Sequence, residues 1–293
     1  MPPALSAADV GRYARDGFLS PNRALTPAEA ARCRDKLEAF ERAIGGPLTA
    51  DATSRHRSRT HVLLTWVHAL VSHPAILDAV ESLIGPDILV FTSTWFIKEP
   101  GSAAIAAWHQ DATYFGLRPH LHVTAWVALT DATAANGCME FLPGSHERGQ
   151  LPHTAGVVAE SVNRARQAVD GAVDDRPAVH APLRAGEFSL HHTLTLHRSQ
   201  PNRSRGRRIG LGISYVPTRV RHVSEKVKAP AMLVRGADAF GHFDLEPAPR
   251  ADLDAAAQAA FTRSYEGYRA AYAEQVTFLG DEDANAGTRS ARR

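Results

Sequence analysis

The chain has 293 residues, with 33 basic and 31 acidic side chains, 15 histidines and a formal net charge of +2. A chain of that length buries a core without needing disulfides or structural metal. Its balanced charge argues against a general nucleic-acid or polyanion binder, which needs a concentrated basic footprint.

Residues 6–16 and 27–43 read as helices, with Ser6 and Thr26 as N-caps and Pro27 at a favoured first-turn position. GFLSPNRAL between them has the look of a short strand and a turn. The polar, basic stretch 50–60 is expected as a loop. Helical periodicity resumes over 61–84, and His73-Pro74 splits it into two short helices. From 88 the texture changes to β-branched and aromatic runs: 88–97, 122–129, 138–142, 187–196 and 209–216. Short strands at such spacing suggest a sandwich or double-sheet barrel, not βαβ units. The polar stretch 150–178 reads as a long insertion of the kind that forms lids or binding loops. After 250 the chain is Ala-rich and helical to about 275, and 281–293 is a charged, apolar-poor tail expected to be disordered. A single domain over 1–293 is expected: a helical part over about 5–85, a β core over about 88–220, then one helix.

Cys33 and Cys138 lie far apart without CxxC spacing, which argues against a disulfide scaffold or thiolate zinc site and for a reducing compartment. The N-terminus carries charge by residue 9 and has no apolar core of signal length, and no apolar run is long enough to span a membrane. A soluble cytoplasmic protein acting on a small molecule, without nucleic-acid or membrane partners, is therefore expected; oligomeric state leaves no sequence signal.

The chemistry is concentrated in Trp108-His109-Gln110-Asp111. On a strand, residues i and i+2 share a face, so His109 and Asp111 would reach one ion. An imidazole nitrogen and a carboxylate oxygen suit Fe(II), Mn(II) or Zn(II). His197, closing the run 187–196, is the best third ligand, with His191 and His192 as rivals on the same expected strand. Strand parity turns His191 toward the face of His197, as a neighbour of the site or a substrate contact, or else as a satisfied core histidine. Two histidines and one carboxylate leave coordination sites open for an oxo-acid and O₂. Beyond His197, Arg203 and Arg205 read as a solvated turn. Arg208 opens an apolar strand, where an unpaired guanidinium is costly and a carboxylate is its best partner. The far carboxylate of 2-oxoglutarate would serve.

These residues carry a resemblance. WHQDATYFGLRP (108–119), HVTAWVALTDATAANGCMEFLPGSH (122–146), LRAGEFSLHHTLTLHRSQPNRS (183–204) and RRIGLGISYVP (207–217) are similar to the phytanoyl-CoA dioxygenase family, and YARDGFLSP (13–21) resembles its opening. The resemblance implies a double-stranded β-helix, a distorted, cupin-like jelly roll flanked by N-terminal helices and a C-terminal helix. It implies Fe(II) on His109, Asp111 and His197, and the 2-oxoglutarate carboxylate on Arg208 with Ser199 helping and Trp126 and Thr94 alongside. O₂-dependent hydroxylation of a small molecule in specialised metabolism would follow, with release of succinate and CO₂. Related halogenases have a small residue where this chain has Asp111, so hydroxylation is favoured over chlorination. Desaturation, cyclisation or epimerisation at the same iron remain open, as do a non-catalytic metal-binding sensor and a cupin-like enzyme that dispenses with 2-oxoglutarate. Loops 50–61, 112–121, 150–178 and 219–245 are candidates to close the pocket, with Tyr114, Phe115 and Arg118 at its mouth. Arg55, His56, Arg57, Arg59 and His61 either favour an anionic substrate or form a solvated surface. Asn136-Gly137 and Pro143-Gly144-Ser145-His146 read as turns, and His146 is left out of the site.

Overall fold

A computed structural model describes residues 5–154, 161–162 and 168–290. Its helices begin where the caps predict. Ser6 opens α1 (Ala7–Asp16) and Thr26 opens α2 (Pro27–Ala43), each in a reciprocal capping box with Asp9 and Glu29. Between them lies β1 (Phe18–Arg23). Residues Asp51–Arg57 wind into a 3₁₀ turn rather than an open loop. The break at His73-Pro74 divides α3 (Thr65–Val71) from α4 (Pro74–Ile84).

The β region then runs β2 (Ile88–Lys98), β3 (Ala106–His109), the one-turn α5 (Ala112–Phe115), β4 (Leu117–Arg118), β5 (Val123–Ala128) and β6 (Met139–Phe141). It continues with β7 (His153–Thr154), β8 (Ala168–Val169), β9 (Val179–Ala181), β10 (Glu187–His192), β11 (His197–Ser199) and β12 (Arg208–Pro217). Last come β13 (Arg221–His222), β14 (Pro230–Arg235), β15 (Asp244–Leu245) and α6 (Ala255–Ser290). Helix α6 continues through most of the stretch whose composition suggested an unstructured tail; that stretch holds no proline to stop a helix.

The large sheet has the order β1-β10-β5-β12-β2-β14-β15, antiparallel except for β14 with β15. A small sheet, β3-β11-β6-β9, faces it. Phe18 of β1 stacks on Phe141 of β6 with centroids 4.6 Å apart, and Trp126 and Ala128 of β5 pack with Met139, Phe141 and Ala181. This is the expected double-stranded β-helix, with helices at both ends. The period of two sorts the large sheet's side chains. Val123, Ala125 and Val127 of β5, and Ile209, Leu211, Ile213 and Tyr215 of β12, join Leu37, Phe40, Val67, Ile76 and Val80 of the N-terminal helices in the main core. Their alternates Thr124, Trp126, Arg208, Gly212 and Ser214 line a cavity.

Two strand assignments need correcting. Asp111 does not continue β3: the strand ends at His109, and Asp111 has helical backbone (φ −59°, ψ −32°) just before α5. Gln110 fixes that turn. Its side chain donates to the carbonyls of Gly149 and Leu194 and accepts from the Leu151 amide. Likewise 187–196 is not one strand. β10 ends at His192, and the chain crosses to the small sheet before His197 opens β11. Strand parity therefore cannot be what brings His191 and His197 together.

Candidate metal and cosubstrate site

His109 and His197 meet because β3 and β11 are antiparallel neighbours with these two residues in register. Their rings lie 4.1 Å apart, and Asp111 Oδ1 is 3.9 Å from His109 Nε2 and 3.7 Å from His197 Nε2. One ligand atom from each of the three lies within 4.8 Å of the others, the arrangement expected of a shared ion. Each imidazole donates its Nδ1–H to the carbonyl two residues back, His109 to Ala107 at 2.8 Å and His197 to Thr195 at 2.9 Å. That fixes the tautomer and turns Nε2 toward Asp111. Burial lowers both imidazoles, His197 well below its ordinary range, so both are neutral. Burial alone would raise Asp111, but the hydrogen bond from His191 and the surrounding imidazoles hold its carboxyl well below the usual carboxylate range. Two neutral nitrogens and one anionic oxygen are a fit donor set for a divalent first-row metal.

The other oxygen, Asp111 Oδ2, is held from behind. Thr124 Oγ1 donates to it at 2.6 Å and His191 Nε2 at 3.2 Å. An ionised carboxylate only accepts, so Thr124 is the donor and its oxygen is left to accept from His122 Nε2, 3.0 Å away. His122, fully buried and neutral because burial pushes it down to about 3, then accepts at Nδ1 from the Thr193 hydroxyl at 3.0 Å. A directional chain, Thr193 to His122 to Thr124 to Asp111, orients the ligand. HxD and His197 signalled the ligands, but nothing in HVTAWVAL marked Thr124 or His122 as part of their support.

The triad opens onto a cavity of about 360 Å³ that also contains Thr94, Trp126, Ser199 and Arg208. Arg208 is 1% exposed. It donates to the Gly137 carbonyl at 2.6 Å and lies 5.2 Å from the Trp126 ring centroid, while its Nε has no partner. Among the described residues no carboxylate pairs with it. Gly210 makes the Trp126 position possible, since a Cβ there would sit 2.0 Å from the indole. A carboxylate from a bound oxo-acid would fill the gap at Arg208, so the residues present fit 2-oxoglutarate as well as the metal.

Tyr114, Phe115 and His191 line the cavity, as does Val162 from the 150–178 stretch; residues 155–160 and 163–167 of that stretch lie outside the described residues. Arg57 and Ser58 of the 50–61 segment contribute as well. Arg118 does not: its guanidinium turns to the Leu117 carbonyl and the Gln150 side chain. No residue of 219–245 lines the cavity. Arg59 and His61, read above as either substrate-facing or solvated surface, are fully buried and do not line the cavity. The wall that sequence reasoning missed is α6, which presents Tyr265, Tyr268, Arg269 and Tyr272 to the cavity.

The fold and the donor set are those of a non-haem iron dioxygenase dependent on 2-oxoglutarate. Residues 13–210 match the family model "Phytanoyl-CoA dioxygenase (PhyH)", and the chain belongs to that family. The peroxisomal phytanoyl-CoA dioxygenase of Rattus norvegicus is 31% identical over 157 residues, 52% of this chain and 46% of that protein. The "Probable alpha-ketoglutarate-dependent hypophosphite dioxygenase" of Stutzerimonas stutzeri is 30% identical over 167 residues, 55% and 56% of the two chains. The chain thus matches about half the length of these curated relatives. Among solved structures, one described as "non-heme monooxygenase; ThoJ apo" superposes with a TM-score of 0.82 at 35% identity, covering 92% of this chain and 98% of that one.

Proposed function

We propose that the chain is a 2-oxoglutarate-dependent dioxygenase that hydroxylates an unactivated C–H bond of a small molecule in specialised metabolism. His109, Asp111 and His197 hold Fe(II), and Arg208, with Ser199, Trp126 and Thr94, holds the far carboxylate of 2-oxoglutarate. Bound iron supplies O₂ activation coupled to oxidative decarboxylation of the oxo-acid, with release of succinate and CO₂. The protein's part is placement. Thr124 and His191 hold Asp111 by Oδ2 so that Oδ1 faces the metal, and the aromatic walls keep water from the reacting carbon. Substrate enters between the triad and the tyrosines of α6.

The observation that carries this reading is Arg208: a buried cation with an unpartnered Nε, in the same cavity as the triad. Anaerobic titration with Fe(II) and 2-oxoglutarate, followed by the visible charge-transfer band of the chelate, tests it. The band should saturate at one iron per chain, demand far more Fe(II) in Asp111→Ala and demand about tenfold or more extra 2-oxoglutarate in Arg208→Met. Wild-type protein that binds metal but gives no band would refute dependence on 2-oxoglutarate. Once a substrate is found, product mass separates oxygen insertion from desaturation or cyclisation.

A further inference from the structure

Beside Arg208 lies a second buried cation. Lys98, the last residue of β2, is paired in register with Arg208 on β12 and is 0% exposed. Its Nζ meets three acceptors: Ser199 Oγ at 2.8 Å, the Ser199 carbonyl at 3.2 Å and the Gln200 carbonyl. The groups around it are Arg208 from β12, Cys138 and Glu140 from the β6 segment, Ser199 from β11 and Gln200 just after it. Glu140 is engaged by Arg198 at 2.8 Å, and burial pushes the Cys138 thiol up to about 11, so it carries no charge. Among the described residues Lys98 makes no ion pair.

Resting on the cosubstrate reading above, we propose that Lys98 is a positioning residue for 2-oxoglutarate: its ammonium turns the Ser199 hydroxyl toward the cosubstrate carboxylate. The hydrogen count forces this. Two of the three acceptors are carbonyls, which only accept. An ammonium has three N–H groups, so the third reaches Ser199 Oγ and releases the serine's own O–H to donate into the cavity. A neutral amine has two, both taken by the carbonyls. Ser199 would then donate back to the nitrogen and present lone pairs to an incoming anion. The charge on Lys98 therefore decides whether Ser199 attracts or repels the carboxylate. Burial first, and Arg208 second, push Lys98 down to about 6, so the free site holds the amine at neutral pH. A bound anion favours the ammonium, so binding takes up a proton. Affinity then falls as pH rises above about 6.

The test is calorimetric titration of 2-oxoglutarate into Ni(II)-loaded protein at about pH 7.5, in buffers of different ionisation heat. Wild type should take up protons on binding. Lys98→Met should bind about tenfold or more weakly and lose that uptake. Lys98→Met/Ser199→Ala should be no weaker than Lys98→Met, because the lysine acts through the serine. Wild-type affinity in Lys98→Met, or independent losses that sum in the double variant, overturns the proposal. If Lys98→Met does not fold, ¹³Cε-lysine spectra of wild type decide, the chain having only Lys36, Lys98, Lys226 and Lys228. One lysine should titrate near neutrality and shift upward with 2-oxoglutarate; no change in any of them overturns the proposal. Wild-type protein that does not bind 2-oxoglutarate, or is indifferent to Arg208→Met, sinks the cosubstrate reading itself.

Discussion

A carboxylate that must offer one particular oxygen to a metal needs its other oxygen occupied, and the Thr124 hydroxyl, 2.6 Å from Asp111 Oδ2, does that. Thr124→Val keeps the shape and removes the donor, leaving His191 as the one hydrogen bond on Oδ2. Metal affinity should fall by about 10–100-fold, as for other groups that orient a metal ligand, while Thr124→Ser retains most of it; competition against a chelator of known affinity measures both. At this scale the sequence was legible where chemistry constrains residue type. His109, Asp111, His197 and Arg208 all converge on one cavity. It was illegible where support comes from common residues: a threonine and a histidine on an apolar strand carry no pattern. The strand-parity argument failed because it assumed regular backbone, whereas Gln110 and the crossing after His192 bend the chain.

Helix α6 was legible as a helix from its alanines, but a stripe at i, i+3 and i+7 does not say what it packs against. Arg59 does that docking. Fully buried with left-handed backbone (φ 64°), it hydrogen-bonds Ser264 of α6, the Phe91 carbonyl and Glu246, and lies 5.3 Å from the Tyr268 ring centroid. Arg59→Met would strand Glu246, 8% exposed, without its partner. Removing one member of a buried pair destabilises by about 3–5 kcal/mol, and urea denaturation should show a loss of that order. A loss under about 1 kcal/mol would mean that water, not Arg59, satisfies Glu246. The basic stretch 50–60 looked like solvated surface because charge in sequence is blind to a partner 187 residues away.

For the whole molecule, the histidines set the response to acid. Burial pushes His122 down to about 3, and His120, His192 and His222 to about 4, while His61 lies well below its ordinary range. Unfolded, each returns to about 6.5, so below that pH the unfolded chain binds more protons than the folded one. The stability these histidines carry is therefore fully present above about 6.5 and should be lost progressively toward pH 4, with His122 alone contributing about 1.4 kcal/mol per pH unit. Thermal melts of metal-free protein check the sign; a melting temperature flat from pH 7 to about 4.5 would contradict it. The β core was readable in the strand runs, but the order of seven strands was not, because antiparallel partners such as β1 and β10 are set by contacts more than 160 residues apart. The terminal helix has one further consequence. The family pattern ends at residue 210, yet the tyrosine wall begins at 265. Part of the cavity wall thus lies outside the matched stretch, so substitutions at Tyr265, Tyr268 or Tyr272 would reshape the cavity without touching His109, Asp111 or His197.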